Sequence, residues 1–234
     1  MRGTIHLVTA ADCLGLRPPL QGMLERQMRG TEFFGHCADI PRKELESAAY
    51  EVLGTEPVPV RELGAALALR FPAHQPGHLA NTVRVLLPLV QAPPRGVWKR
   101  SGGPAYVHAE EWHGAPLAAL DPAELVRRYL RAFGPATAAD ITTWSGLTGL
   151  RPVLEGMREE LVTHTGETGR TLLDLPGLPV ADPDEPAPVR LLGKYDNLWL
   201  SHADRTRVTE PEKRKRWMGR NGGTGNTVFV DGLL

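Results

Sequence analysis

Apolar residues recur along this chain at spacings of three and four, the mark of helices that bury one face. The spacing predicts a helix over 10–30, carried by Leu14, Leu16, Leu20, Leu24 and Met28, with Pro18 and Pro19 breaking or starting it. Further helices are predicted at about 42–53, from Val60 to Phe71, and at about 78–90 with Leu79, Val83, Leu86, Leu87 and Val90 inward. Beyond them come 122–133, 138–144 and 149–161, each with its own apolar stripe. Asp121 and Thr137 stand where helix caps belong, and Pro122 suits a first turn. Between these stretches the period shortens. Residues 1–8, Val97-Trp98, Tyr106-Val107, Leu172-Leu173, 189–192 and 227–230 read as strands.

The order of these elements repeats. Residues 59–107 and 135–175 each run as a short helix, a turn, a longer helix and two strands around a glycine-bearing turn. That is the order of a winged helix. The expectation is an α+β fold: tandem winged-helix domains with a small β-rich C-terminal region. The organisation expected is a strand and helices remaining from a preceding domain at 1–40, then a winged helix at 41–108. A second winged helix follows at 120–175, then a β-rich C-terminal region, incomplete or whole, at 189–234. Residues 109–121 read as a linker, and the Pro-rich acidic run 176–188 as an extended one.

Composition narrows the picture. With 41% hydrophobic residues the 234-residue chain can build real cores. Its 27 basic and 27 acidic residues cancel, so any nucleic-acid contact must come from local patches. Cys13 and Cys37 have no metal-site spacing, and no apolar run is long enough to span a membrane. A cytoplasmic, reduced, monomeric protein is expected. No Walker loop, dinucleotide fingerprint or HExxH occurs, so neither cofactor nor metal is expected. His74 and His78 stand four apart and His36 adjoins Cys37, but neither pair brings its own further ligands.

Two basic patches are candidates for phosphate. Arg95, Lys99 and Arg100 fall at the first wing, and Lys213, Arg214, Lys215 and Arg216 run consecutively beside Trp217. Arg84 is the one formal cation of helix 78–90, with Asn81 and Thr82 beside it, which is thin material for base reading. In the second repeat Arg151 and Arg158 face Glu155, Glu159 and Glu160, so that helix would repel phosphate. His202 and Asp204, two apart, would share one face of a strand as an acid/base pair; a polar turn closed by its own hydrogen bonds is the other reading. Asp196 is either part of that cluster or a local cap.

Several blocks carry a resemblance: RGTIHL at 2–7, RYLRAFGPATAADITTWSGL at 128–147, PVRLLGKYDNLWLSHADRTRV at 188–208 and TVFVDG at 227–232. With them the chain resembles the AlkZ and YcaQ family of winged-helix DNA glycosylases, which excise alkylated or crosslinked bases. The resemblance implies duplex DNA, damaged or intact, as partner. It also implies a cleft with Arg2, Thr4 and His6 at one wall and His202 and Arg205 at the other. The family's catalytic signature is Gln-x-Gln or Gln-x-Asp, placed before the arginine-glycine-threonine block. Here that block begins at Arg2, and Gln21, Gln27, Gln75 and Gln91 are isolated. The expectation is a chain lacking the family's N-terminal catalytic portion and part of its C-terminus, with catalytic residues unassigned and whether it is an enzyme left open. A non-catalytic scaffold or protein-interaction module is the alternative.

Overall fold

The computed structural model describes residues 5–179, 182, 184–217 and 225–233. The chain divides into two units, Met1–Leu120 and Asp121–Leu234, of mixed α+β architecture.

In the first unit, residues 5–9 take no strand; Ile5 and Leu7 are exposed, without the neighbours that the alternation there would need. Thr9 then caps α1 (Ala10–Met28), its Oγ1 accepting from the Asp12 N–H at 3.1 Å. Pro18 and Pro19 lie inside this helix rather than breaking it. Pro19 has no N–H to give to the Gly15 carbonyl four residues back, and the Leu120 N–H supplies that bond instead at 2.8 Å. Arg17, just before the proline pair, donates from Nη2 to the carbonyls of Val85 and Leu87 at 2.8 and 2.9 Å.

After the one-turn α2 (Glu32–Gly35) come α3 (Arg42–Val52), β1 (Val58–Pro59), α4 (Val60–Arg70), α5 (Pro76–Leu86), β2 (Leu89–Gln91), β3 (Ala105–His108) and α6 (Ala109–His113). Leu45, Ala49, Leu63, Leu67, Leu79 and Val83 fill the core between α3, α4 and α5. Helices α4 and α5 approach so closely that a Cβ on Gly64 would stand 2.5 Å from the Pro76 carbonyl oxygen. The strands pair antiparallel in the order β1-β3-β2, with Val90 opposite Val107.

Three sequence expectations are corrected here. Helix 78–90 ends at Leu86, because Pro88 forces Leu87 into extended backbone (ψ 148°). The residues released become β2, so the hairpin's first strand is 89–91 and not Val97-Trp98. Val97 and Trp98 instead lie in the long connection between β2 and β3, where Gly96 and Lys99 take positive φ. The expected linker at 109–121 begins as helix α6.

In the second unit Asp121 caps α7 (Pro122–Phe133), accepting from the Ala123 N–H at 2.9 Å. Then follow α8 (Ala138–Ser145), α9 (Arg151–Gly156), β4 (Val162–Thr165) and β5 (Thr171–Asp174). The helix expected over 149–161 stops at Gly156, a poor helix former, and residues 157–160 turn the chain toward β4. Val126, Tyr129, Leu130, Ile141, Leu150 and Met157 form the core. The last segment holds β6 (Arg190–Leu192), a 3-10 turn at Asn197–Trp199, α10 (Pro211–Trp217) and β7 (Thr227–Phe229). β6 and β7 pair antiparallel, and Trp199 packs on Phe229.

Candidate nucleic-acid interface

The connection between β2 and β3 carries the first basic patch. Arg95, Lys99 and Arg100 are all exposed on it, without a strand to hold them flat. Trp98 stands among them with 86% of its surface exposed. The expectation placed this indole in a strand; the signal for its true place is the Gly96 and Pro93-Pro94 that precede it. An exposed indole flanked by guanidinium and ammonium groups can stack on a sugar or base while the cations meet phosphate.

Helix α5 offers less. The Arg84 guanidinium donates to Asn81 Oδ1 at 2.7 Å and lies 5.0 Å from the centre of the Tyr106 ring. Thr82 is buried. Arg84, Asn81 and Thr82 are thus engaged or enclosed.

The second unit gathers its cations around residues 201–216. Lys213 and Arg216 are exposed on α10, Lys215 pairs with Glu212 at 2.8 Å, and Arg214 is half-buried. Arg205 is half-buried too; burial and then the nearby Arg214 charge lower its pKa, and its Nε has no hydrogen-bond partner among the described residues. Asp204 accepts from the Thr206 N–H and hydroxyl at 2.9 and 2.8 Å, which holds its carboxyl below the usual range. Arg170, at the β4–β5 turn, and Arg207 add to that effect. Arg170 and Arg207 therefore join this basic surface; Arg207 belongs to the polar run 201–207 of the sequence, while Arg170 is not among the sequence candidates. Arg170 is distant in sequence, and only the hairpin brings it here.

His202 is placed differently from the expectation. Residues 201–208 form no strand, so His202 and Asp204 do not share a strand face. The His202 ring is buried, only 8% of the residue being exposed. Ser201 Oγ stands 2.8 Å from Nδ1, and an Arg207 guanidinium nitrogen stands 3.1 Å from Nε2. Burial first, then the Arg207 charge, lower its pKa and favour the neutral ring. Next to it Asp140 makes a second junction. One carboxylate oxygen accepts from the Thr137 N–H and hydroxyl, the other from the Ala203 N–H at 2.8 Å. Burial alone would raise the Asp140 pKa, but these bonds hold it below the ordinary carboxylate value. The cluster thus locks the 201–205 segment to α8. Asp196 caps the 3-10 turn, accepting from the Leu198 N–H at 2.9 Å.

Of the remaining sequence candidates, Arg2 and Thr4 lie outside the described residues, and His6 is exposed in the irregular start of the first unit. In the second repeat the acidic face is partly neutralised. Arg151 pairs with Glu155 at 2.8 Å, and Arg127 reaches Glu160 with two hydrogen bonds.

A family model described as "DNA glycosylase AlkZ-like" matches residues 1–234. The chain belongs to this family. Among solved structures, the DNA glycosylase AlkZ of Streptomyces sahachiroi is similar, with a TM-score of 0.77 at 22% sequence identity. The match covers 100% of this chain and 67% of that one. No curated protein matches the chain. Two of the isolated glutamines have local partners. Gln21 accepts from Arg17 and donates to Glu25 at 2.6 Å, while Gln91 lies 3.4 Å from the Tyr106 hydroxyl. No described helix is long and apolar enough to cross a membrane.

Proposed function

We propose that this chain binds duplex DNA through its phosphates, on tandem winged helices of the glycosylase fold, and that these 234 residues alone do not excise bases. The observation that carries the reading is the exposed β2–β3 connection, where Arg95, Lys99 and Arg100 surround Trp98. The basic surface of the second unit, with Arg205, Arg207, Lys213 and Arg216, supports the same chemistry. The engaged side chains of α5 favour backbone contact over base reading. Base excision needs a positioned water and stabilisation of positive charge on the sugar, and no Gln-x-Gln or Gln-x-Asp is present to supply the water-holding group.

The test is duplex binding by fluorescence anisotropy across a salt series. Lys99→Ala/Arg100→Ala should weaken binding equally on unrelated sequences and lower the slope of log K against log salt by about 2, since each lost phosphate contact removes about 0.9. Trp98→Ala should weaken binding about tenfold with the slope unchanged, because stacking releases no counterions. An unchanged double mutant removes this connection from the interface. A second reading, a protein-interaction scaffold, is favoured by the apolar side chains Leu191 and Val228 exposed on the β6–β7 pair and Val230 exposed just after it. It gains if no duplex binding is seen even at low salt.

A further inference from the structure

Outside the basic surfaces, one cluster of ligating side chains has no part in the reading above. Residues 32–36 and 74–78 each present a fragment of a metal motif in the sequence, neither sufficient alone. The fold brings them together. Glu32 and His36 stand one turn apart on and just after α2, with His36 Nε2 3.8 Å from Glu32 Oε1. His78, in the first turn of α5, lays its ring against that of His36, with centroids 4.4 Å apart and planes within 6°. One ligand atom from each of the three residues lies within 4.8 Å of the others.

We propose that Glu32, His36 and His78 form a site for a divalent transition metal of the zinc class, held by two imidazole nitrogens and one carboxylate oxygen. This donor set suits borderline-soft ions that take imidazole and carboxylate together, and disfavours calcium and magnesium, which prefer oxygen alone. Nitrogen ligands on tetrahedral zinc stand about 3.3 Å apart, given Zn–N bonds of about 2.0 Å. The cluster must therefore draw in by about an ångström or more, and the His36 ring must turn out of its stack on His78, because the lone pair of each imidazole nitrogen lies in its own ring plane. Its side chains can do so: those of His36 and Glu32 are 57% and 84% exposed, free to turn about their outer torsions. Their exposure also leaves room for water at the fourth position. Two neighbours are spoken for. His74 Nε2 bonds the Asp39 carboxylate at 2.9 Å, and Cys37 is buried against Thr82. Metal binding would tie α2 to the start of α5.

The test uses the whole, tag-free chain, stripped with a chelator, and zinc alone as the probe. In competition with a chromophoric chelator, one equivalent of zinc should bind. His36→Ala and His78→Ala should each weaken binding at least tenfold, and Glu32→Gln severalfold. His164→Ala, on the exposed strand β4 of the other unit, should leave affinity unchanged. Zinc should raise the thermal unfolding midpoint of the wild type and not that of His36→Ala/His78→Ala. Cobalt should give visible bands of a four-coordinate site that vanish in His78→Ala, while far-ultraviolet circular dichroism shows the variant folded. Stoichiometric zinc binding that survives in the double variant would overturn the assignment, as would its absence in the wild type.

Discussion

Two buried imidazoles, His108 and His202, contribute to the pH dependence of stability. His108 lies in the core of the first unit, stacked on Tyr50 with ring centroids 4.1 Å apart, and both of its ring nitrogens lack hydrogen-bond partners among the described residues. Burial lowers its pKa, against the weaker pull of Glu111 and Glu110, and burial with Arg207 does the same for His202. Both rings thus bind a proton less readily folded than unfolded. Their contribution to stability is present above about pH 6.5, the unfolded value, and is lost as pH falls below it. His108→Phe keeps a flat ring against Tyr50 and removes two unsatisfied polar atoms. It should raise stability by about 1 kcal/mol at pH 8 and by more at pH 5.5. Urea unfolding at the two pH values checks this; an equal gain at both would show that His108 titrates alike in the two states.

At the scale of elements, single side chains decide how helices begin and what they hold. Asp140 completes a capping box with Thr137 at the start of α8 and accepts the Ala203 N–H with its other oxygen. Asp140→Ala would leave three donors unmatched and should cost about 2–3 kcal/mol. Backbone amides at 201–205 should then exchange faster than those of α7. Uniform protection across the segment would show that Ala203 needs no help from α8. The capping threonine was legible in the sequence, as were Asp121 and the apolar faces of α3, α4 and α7, because each rests on residues a few positions apart. The second bond of Asp140 was not, since Ala203 is brought to it by tertiary packing. The same limit explains α1. A proline pair reads as a break, and only the Leu120 N–H, a hundred residues on, replaces the bond that Pro19 cannot make. It also explains the first hairpin. Trp98 looked like strand because its apolar surface suits one, yet the run Leu89–Gln91 won the pairing with β3.

For the whole molecule, charge balance makes location decisive. With 27 cations and 27 acids, no general attraction to DNA operates, and any affinity must come from patches where acids are absent or already paired. The sequence showed the run at 213–216 but not its value, because that depends on partners. Lys215 is offset by Glu212 and Arg214 is half-buried, which leaves Lys213 and Arg216 as the exposed pair of α10. A solvated helix and a phosphate grip look alike in such a run, and salt tells them apart. If α10 meets phosphate, Lys213→Ala/Arg216→Ala should lower the salt slope of duplex binding by about 2, as each contact carries about 0.9. Lys215→Ala should change it far less, since that ammonium already has a carboxylate. Anisotropy titrations from low to moderate salt read both slopes. Equal effects from the two variants would mean that the Lys215–Glu212 pair opens on DNA. No effect from either would confine phosphate binding to the other basic residues of the chain.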